Sequence, residues 1–134
     1  MDIITKIKKI DTLFHAKGCT EDDIKNAESI LNLTFPKEYV SYVKEFGAIS
    51  FYATEWTGLN VGERINVVNV TINEKKLNPN FPDDCFVIEN QGIDGIVTVA
   101  NSKGEVFTVR YDKIISLCDS IGEYLDICID RENM

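Results

Sequence analysis

One histidine, four cysteines and 22 acidic residues are the side chains with which this 134-residue chain could do chemistry. A catalytic His15 would need an acid or a nucleophile aimed at its ring. Its neighbours, Phe14 and Ala16, supply neither. A helix predicted over residues 2–16 places His15 at a helix C-terminus, where a cation is favoured. The cysteines stand at 19, 85, 118 and 128, with no C-x-x-C pair and no zinc-type spacing. Cys85 and Cys128 lie among apolar residues and read as small buried hydrophobes. No basic residue adjoins any of the four in sequence to favour a thiolate. No G-x-S-x-G, H-E-x-x-H or G-x-x-x-x-G-K-[ST] motif occurs. Ser120 lacks a preceding glycine and reads as a helix N-cap. Asp83-Asp84 has no calcium-type loop of oxygen ligands around it and reads as a solvated turn after Pro82. Two carboxylates distant in sequence can still meet in a fold, which leaves a two-acid hydrolase open. The expectation is a protein with no catalytic, metal or cofactor set.

The acids point elsewhere. Net charge is −8. Residues 1–47 hold seven lysines against eight acids, while residues 48–134 hold seven basic residues against fourteen acids. An acidic domain repels phosphate, so direct binding of nucleic acid is disfavoured. The same field attracts a basic partner and speeds its encounter. Asp119, Glu123, Asp126 and Asp130 recur at helical spacing and fall on one face. Asp126 and Asp130 sit at the end where a helix favours cations, and like charges at i, i+4 repel by ~0.2–0.5 kcal/mol per pair. Such a row is either an idle solvated face or a partner surface. Asp83, Asp84, Glu89 and Asp94 form a second acidic run with no intervening Lys or Arg. Tyr52 and Trp56 are the aromatic candidates for anchors beside these acids, although strand alternation sends about half of such residues inward.

Helices and strands must position these side chains. Residues 2–16 form an amphipathic helix striped by Ile3, Ile7, Ile10 and Phe14, ended by Gly18. Thr20 caps a second helix, with Glu21, Asp22 and Asp23 in its first turn and Ile24, Ala27 and Leu31 facing inward. Pro36 starts a third, with Tyr39, Val40, Val43 and Phe46 on one face and Gly47 as a left-handed stop. Residues 49–54 and 56–61 read as strands. Residues 65–77 carry β-branched residues but place Ile65, Val68, Ile72 and Leu77 on one helical face, and a helix is assigned. Residues 85–89, 96–100 and 106–111 form an antiparallel meander. The sequence S-I-G-E from Ser120 to Glu123 is a capping box that opens a last helix. The chain is expected to be one α+β domain over residues 1–134: N-terminal helices, an antiparallel sheet of about four to six strands, and a C-terminal helix packed on it. No apolar run reaches the roughly 20 residues of a membrane helix. The N-terminus threads charges through its apolar positions, unlike a signal peptide. A cytoplasmic protein is expected.

Residues 31–48, L-N-L-T-F-P-K-E-Y-V-S-Y-V-K-E-F-G-A, resemble the SUKH superfamily: a Leu-rich helix end, a hydrophobic-Pro-x-x-Tyr start, and a helix closing in Phe before Gly. F-V-I-E-N-Q-G-I-D-G-I over 86–96 is similar to that family's central hairpin with its D-G turn. Gly104-Glu105-Val106-Phe107 resembles its next strand entry, and Asp119-Ser120-Ile121-Gly122-Glu123-Tyr124-Leu125 the start of its terminal helix. The resemblance implies a non-enzymatic immunity protein, an antitoxin whose partner is a cognate toxin, commonly a basic nuclease domain. The alternative it implies is a peptide- or ligand-binding regulatory module. No cofactor and no membrane partner are expected, and the oligomeric state is not legible. The partner-facing residues expected on this reading are Asp83, Asp84, Glu89, Asp94, Asp119, Glu123, Asp126, Asp130, Tyr52 and Trp56.

Overall fold

A computed structural model describes residues 1–92 and 94–132. Ile93, inside the 86–96 hairpin motif, and residues 133–134 lie outside the described residues. The fold is α+β, with five helices and two antiparallel sheets among the described residues.

Helix α1 spans Ile3–Lys8 and is opened by Asp2, whose carboxylate accepts a 2.8 Å hydrogen bond from the Thr5 amide. That bond satisfies one of the donors a helix start leaves free. Ile3 and Ile7 are buried. The helix predicted to run to residue 16 stops here. Thr12 has φ +57°, a left-handed conformation foreign to a helix interior. Phe14, which continues the apolar stripe in the sequence, is exposed. Phe14–His15 form a short strand, β1, paired with β2 (Ile49–Phe51), and β2 turns back into β3 (Thr54–Glu55). The single strand expected over 49–54 is thus broken by a tight turn at Tyr52, φ +53°.

Helix α2 (Glu21–Leu31) has the expected cap, completed into a capping box. The Thr20 hydroxyl accepts from the Asp23 amide at 3.1 Å, and the Asp23 carboxylate accepts from the Thr20 amide at 2.9 Å. Helix α3 (Lys37–Phe46) begins one residue later than expected, with Pro36 at the N-cap. Gly47 ends it at φ +73°, ψ −63°, positive in φ but outside the left-handed helical basin. Two tyrosines of α3 reach across the core. Tyr42 donates to the Thr57 carbonyl at 2.7 Å and accepts from the Ile49 amide at 3.1 Å, while the Tyr39 hydroxyl bonds the Thr57 hydroxyl at 2.8 Å.

Residues 56–61 are not the strand expected of them. Gly58 makes one parallel bridge to Asn66, with Gly58 N to Ile65 O and Val67 N to Gly58 O both 2.9 Å. Helix α4 (Val67–Leu77) forms as assigned, capped by the Asn66 side chain.

The larger sheet runs β4 (Cys85–Asn90), β5 (Val97–Asn101), β6 (Val106–Arg110), β7 (Lys113–Cys118), each antiparallel to the next. The fourth strand extends the three expected. It follows a hairpin turn at Tyr111 and Asp112. One face of this sheet, carrying Phe86, Ile88, Ala100 and Val106, joins α1, α2, α3 and α5 (Ile121–Glu132) in the main core. The other face, with Cys85, Val87, Val97, Val99 and Val109, packs with Phe81 and Val70 of α4.

The larger sheet has an irregularity that redirects an acid. The β4–β5 register slips between Val87 and Glu89, so Val87 faces Val99 while Glu89 faces Thr98. Ile88 is the extra residue of a β-bulge. Strict alternation sends Glu89 to the same side as Cys85 and Val87, under α4. The bulge sends it to the α5 side instead.

Candidate interaction surface

The predicted partner residues divide into three groups. Asp119, Glu123, Asp126 and Asp130 are all exposed along the outer side of α5 or just before it. Ser120 caps this helix by accepting from the Glu123 amide at 3.1 Å, and the Glu123 carboxylate accepts from the Asp119 amide at 3.3 Å. The capping box therefore closes one residue further out than usual. Asp126 is paired with Lys6 of α1 at 2.8 Å. Tyr52 is 63% exposed. It shares the rim of a cavity of about 360 Å³ with Lys6, Lys9, Ile10 and Phe51, and with Ile129 and Glu132 of α5. Tyr52 and the second half of α5 therefore lie around one hollow.

The second acidic run does not form one patch. Asp83 and Asp84 are exposed before β4, while Asp94 is exposed in the turn beyond its far end. The strand between them separates the two by roughly 20 Å at about 3.3 Å per residue. Asp94 and Gly95 both have positive φ, 52° and 71°, in the connection between β4 and β5, a conformation that Asp and Gly tolerate.

Glu89 and Trp56 are corrections. Neither is at the surface: Glu89 is 4% exposed and Trp56 is fully buried. The Glu89 carboxylate accepts from Arg131 Nη2 at 2.6 Å and from the Tyr124 hydroxyl. The Cys128 thiol lies 3.9 Å away. Thr98 is 3.1 Å from the Tyr124 hydroxyl and accepts from Gln91 Nε2 at 3.0 Å. Arg131 also donates to the Thr54 hydroxyl at 3.0 Å, and Thr54 donates to Glu132 at 3.1 Å. The other Glu132 oxygen accepts from the Ala53 amide at 3.1 Å. The acid predicted to meet a partner thus clamps α5 to β4 and to the β2–β3 turn. Trp56 stacks on Tyr124 with ring centroids 5.8 Å apart and meets Tyr42 edge-on at 5.3 Å. Its indole Nε1 has no hydrogen-bond partner among the described residues.

His15 is on β1, not at a helix end. Its Nδ1 lies 2.7 Å from the Ala16 carbonyl and its ring edge meets Phe46. Among the described residues no acid, thiol or hydroxyl hydrogen-bonds it. No three His, Cys, Asp or Glu side chains gather to hold a metal ion among the described residues. No helix among them is long and apolar enough to cross a membrane.

The thiols are held protonated. Burial, reinforced by Asp23, pushes Cys19 up to about 11, and burial with Asp84 pushes Cys85 up to about 12. Burial and then Glu89 push Cys128 up to about 11. Burial also raises the Tyr124 phenol far above its usual range. The unfolded chain ionises its thiols near 9.0, so it loses protons that the folded chain retains. Stability is thus expected to be full below pH 9.0 and to fall as pH rises toward 11. Urea-unfolding midpoints across that window check this, and a midpoint that stays level contradicts it.

Two antiparallel sheets wrapped by helices, with carboxylates exposed along the last of them, make up an α+β domain. The chain belongs to the SUKH superfamily: residues 21–125 match the family model SUKH_6, described as SMI1-KNR4 cell-wall. Immunity proteins and SMI1/KNR4-like members are both known in it. A comparison with curated proteins returned no match.

Proposed function

We propose that this chain is a non-enzymatic immunity protein that binds a cognate toxin, a basic nuclease domain, and occludes its active site. The observation that carries the reading is the row of exposed carboxylates on α5, in a member of a superfamily that includes immunity proteins. Those carboxylates take the place of substrate phosphates and pair with the Lys or Arg that hold them. Tyr52, on the hollow beside the helix, is the aromatic anchor. Charge sets the rate of encounter and the anchor sets the residence time.

Asp126→Lys with Asp130→Lys is expected to slow association with the toxin by about tenfold at low salt, with a smaller change at high salt. Stopped-flow or surface-binding kinetics read this, with a thermal midpoint confirming the fold. An unchanged association rate removes α5 from the interface. Co-expression with the toxin encoded beside the gene tests the function itself: killing that persists with both proteins soluble rejects it.

The hollow of about 360 Å³, floored by Ile10, Phe51 and Ile129, favours a second reading as a peptide- or ligand-binding regulatory module. A thermal-shift screen against peptides and small molecules separates the two, because the immunity reading needs no small ligand.

A further inference from the structure

We propose that the outer edge of β7 is a dimerisation strand. The β7 of a second copy of this chain pairs with it antiparallel about a twofold axis, joining the two four-stranded sheets into one.

The two edges of the sheet are built differently. The β4 edge is closed: the Thr57 amide donates to the Ile88 carbonyl at 2.8 Å, and the Thr57 hydroxyl donates to the Val87 carbonyl at 2.8 Å. The Val87 amide in turn donates to the Thr71 hydroxyl of α4 at 3.0 Å. The β7 edge has no such cover. Its strand pairs with β6 alone, and among the described residues nothing hydrogen-bonds the outward backbone of residues 114–117. Solitary edge strands are ordinarily guarded by charges, by proline, by bulges or by brevity. This one is six residues long; Lys113 opens it and its register against β6 slips at Leu117, but residues 114–116 between them, I-I-S, are regular and carry no charge and no proline. Ile115 is 62% exposed, and Ile114 and Leu117 are exposed beside it.

The charges at the two ends of the strand select the occupant. Arg110 and Lys113, with Asp112 between them, leave a positive end at the hairpin. Asp119 and Glu123 make the other end negative. Antiparallel self-pairing lays the positive end of each copy along the negative end of its mate, while the two copies of Ile115 meet on one face of the joined sheet and the two copies of Ile114 on the other. An isologous contact of this kind is self-complementary by symmetry, and opposite charges across paired strands favour it. Dimerisation through β7 uses Asp119 and Glu123 of the acidic row and not Asp126 or Asp130, on which the toxin test rests. It is measured on the chain alone, so either reading can fail without the other.

Sedimentation equilibrium on the purified full chain is expected to give a dimer at micromolar concentrations. Ile115→Lys is expected to raise the dimer dissociation constant by at least about tenfold, with circular dichroism confirming the fold. Lys113→Glu is expected to weaken the dimer as well, and Lys113→Glu combined with Asp119→Lys to restore it. Should Ile115→Lys fail to fold, the charge swap decides. A chain that stays monomeric up to about 100 µM overturns the proposal. So does a dimer indifferent to Ile115→Lys, or a swap that weakens association further.

Discussion

Arg131→Met is expected to lower the unfolding free energy by about 2–3 kcal/mol, read from urea midpoints. The side chain it removes is the cationic partner of Glu89, at 2.6 Å in a site where Glu89 retains 5% of its side-chain exposure. Breaking a buried ion pair from one side costs about 3–5 kcal/mol, because the other charge is left behind without water. Arg131 keeps 31% of its own exposure, so solvent screens part of the interaction, which sets the expectation below that range. The loss has more than one strand: Thr54 also gives up a donor at 3.0 Å. Glu89→Leu with Arg131→Met is expected to lose less than the two single changes summed, since no uncompensated carboxylate remains. Strict additivity in that cycle contradicts a clamp built on Glu89 and Arg131.

Gly58→Ala is expected to be the most damaging single substitution in the loop before α4, at about 3 kcal/mol or more. A Cβ on Gly58 falls 1.7 Å from the Gly47 carbonyl oxygen, 2.7 Å from its carbon and 2.8 Å from the Ala48 Cβ. These are backbone and near-backbone atoms with no rotamer to give. The same Gly47 carbonyl accepts the Leu59 amide at 3.0 Å, and Gly58 bridges Asn66 at the mouth of α4. Movement to relieve the clash therefore disturbs the end of α3 and the start of α4 together. Gly62→Ala in the same loop, with nothing within 4 Å of its Cβ, is the control and is expected to change stability by no more than about 0.5 kcal/mol. Equal effects from the two changes contradict the close approach.

The helices were legible where local chemistry decided them. Thr20 with Asp23 and Ser120 with Glu123 announce caps, and both helices begin there. The spacing of Ile24, Ala27 and Leu31 gave the buried face of α2. Strands β4, β5 and β6 followed from β-branched runs between turn residues. One failure came from pairing across the chain that overrode a local pattern. Phe14 sits at helical spacing after Ile3, Ile7 and Ile10, yet β2 offers it a strand partner and the chain leaves the helix. Strand β7 had a signal in Ile114 and Ile115, but a strand with both faces largely wet lacks the alternation that marks its fellows.

The candidate surface was legible only in part, for a related reason. Glu123, Asp126 and Asp130 on α5, with Asp119 just before it, are exposed as a row, and Tyr52 is exposed, because a helix face and a turn are local objects. Glu89 went astray through a one-residue bulge opposite Thr98, which depends on β5 and is silent in the composition of β4. Trp56 looked like an anchor in sequence and is a core residue, enclosed by Tyr42 of α3 and by Tyr124 from the last helix, far away in the chain.

The tie between Lys6 and Asp126 spans 120 residues. At a synthesis rate of ~5–20 residues per second, the first helix waits roughly 6–24 s for that partner to emerge from the ribosome. During that interval Ile3 and Ile7 lack the cover of the last helix, and Glu89, once made, waits a further 42 residues for its guanidinium. A nascent chain in this condition is a natural client for chaperones that shield apolar segments.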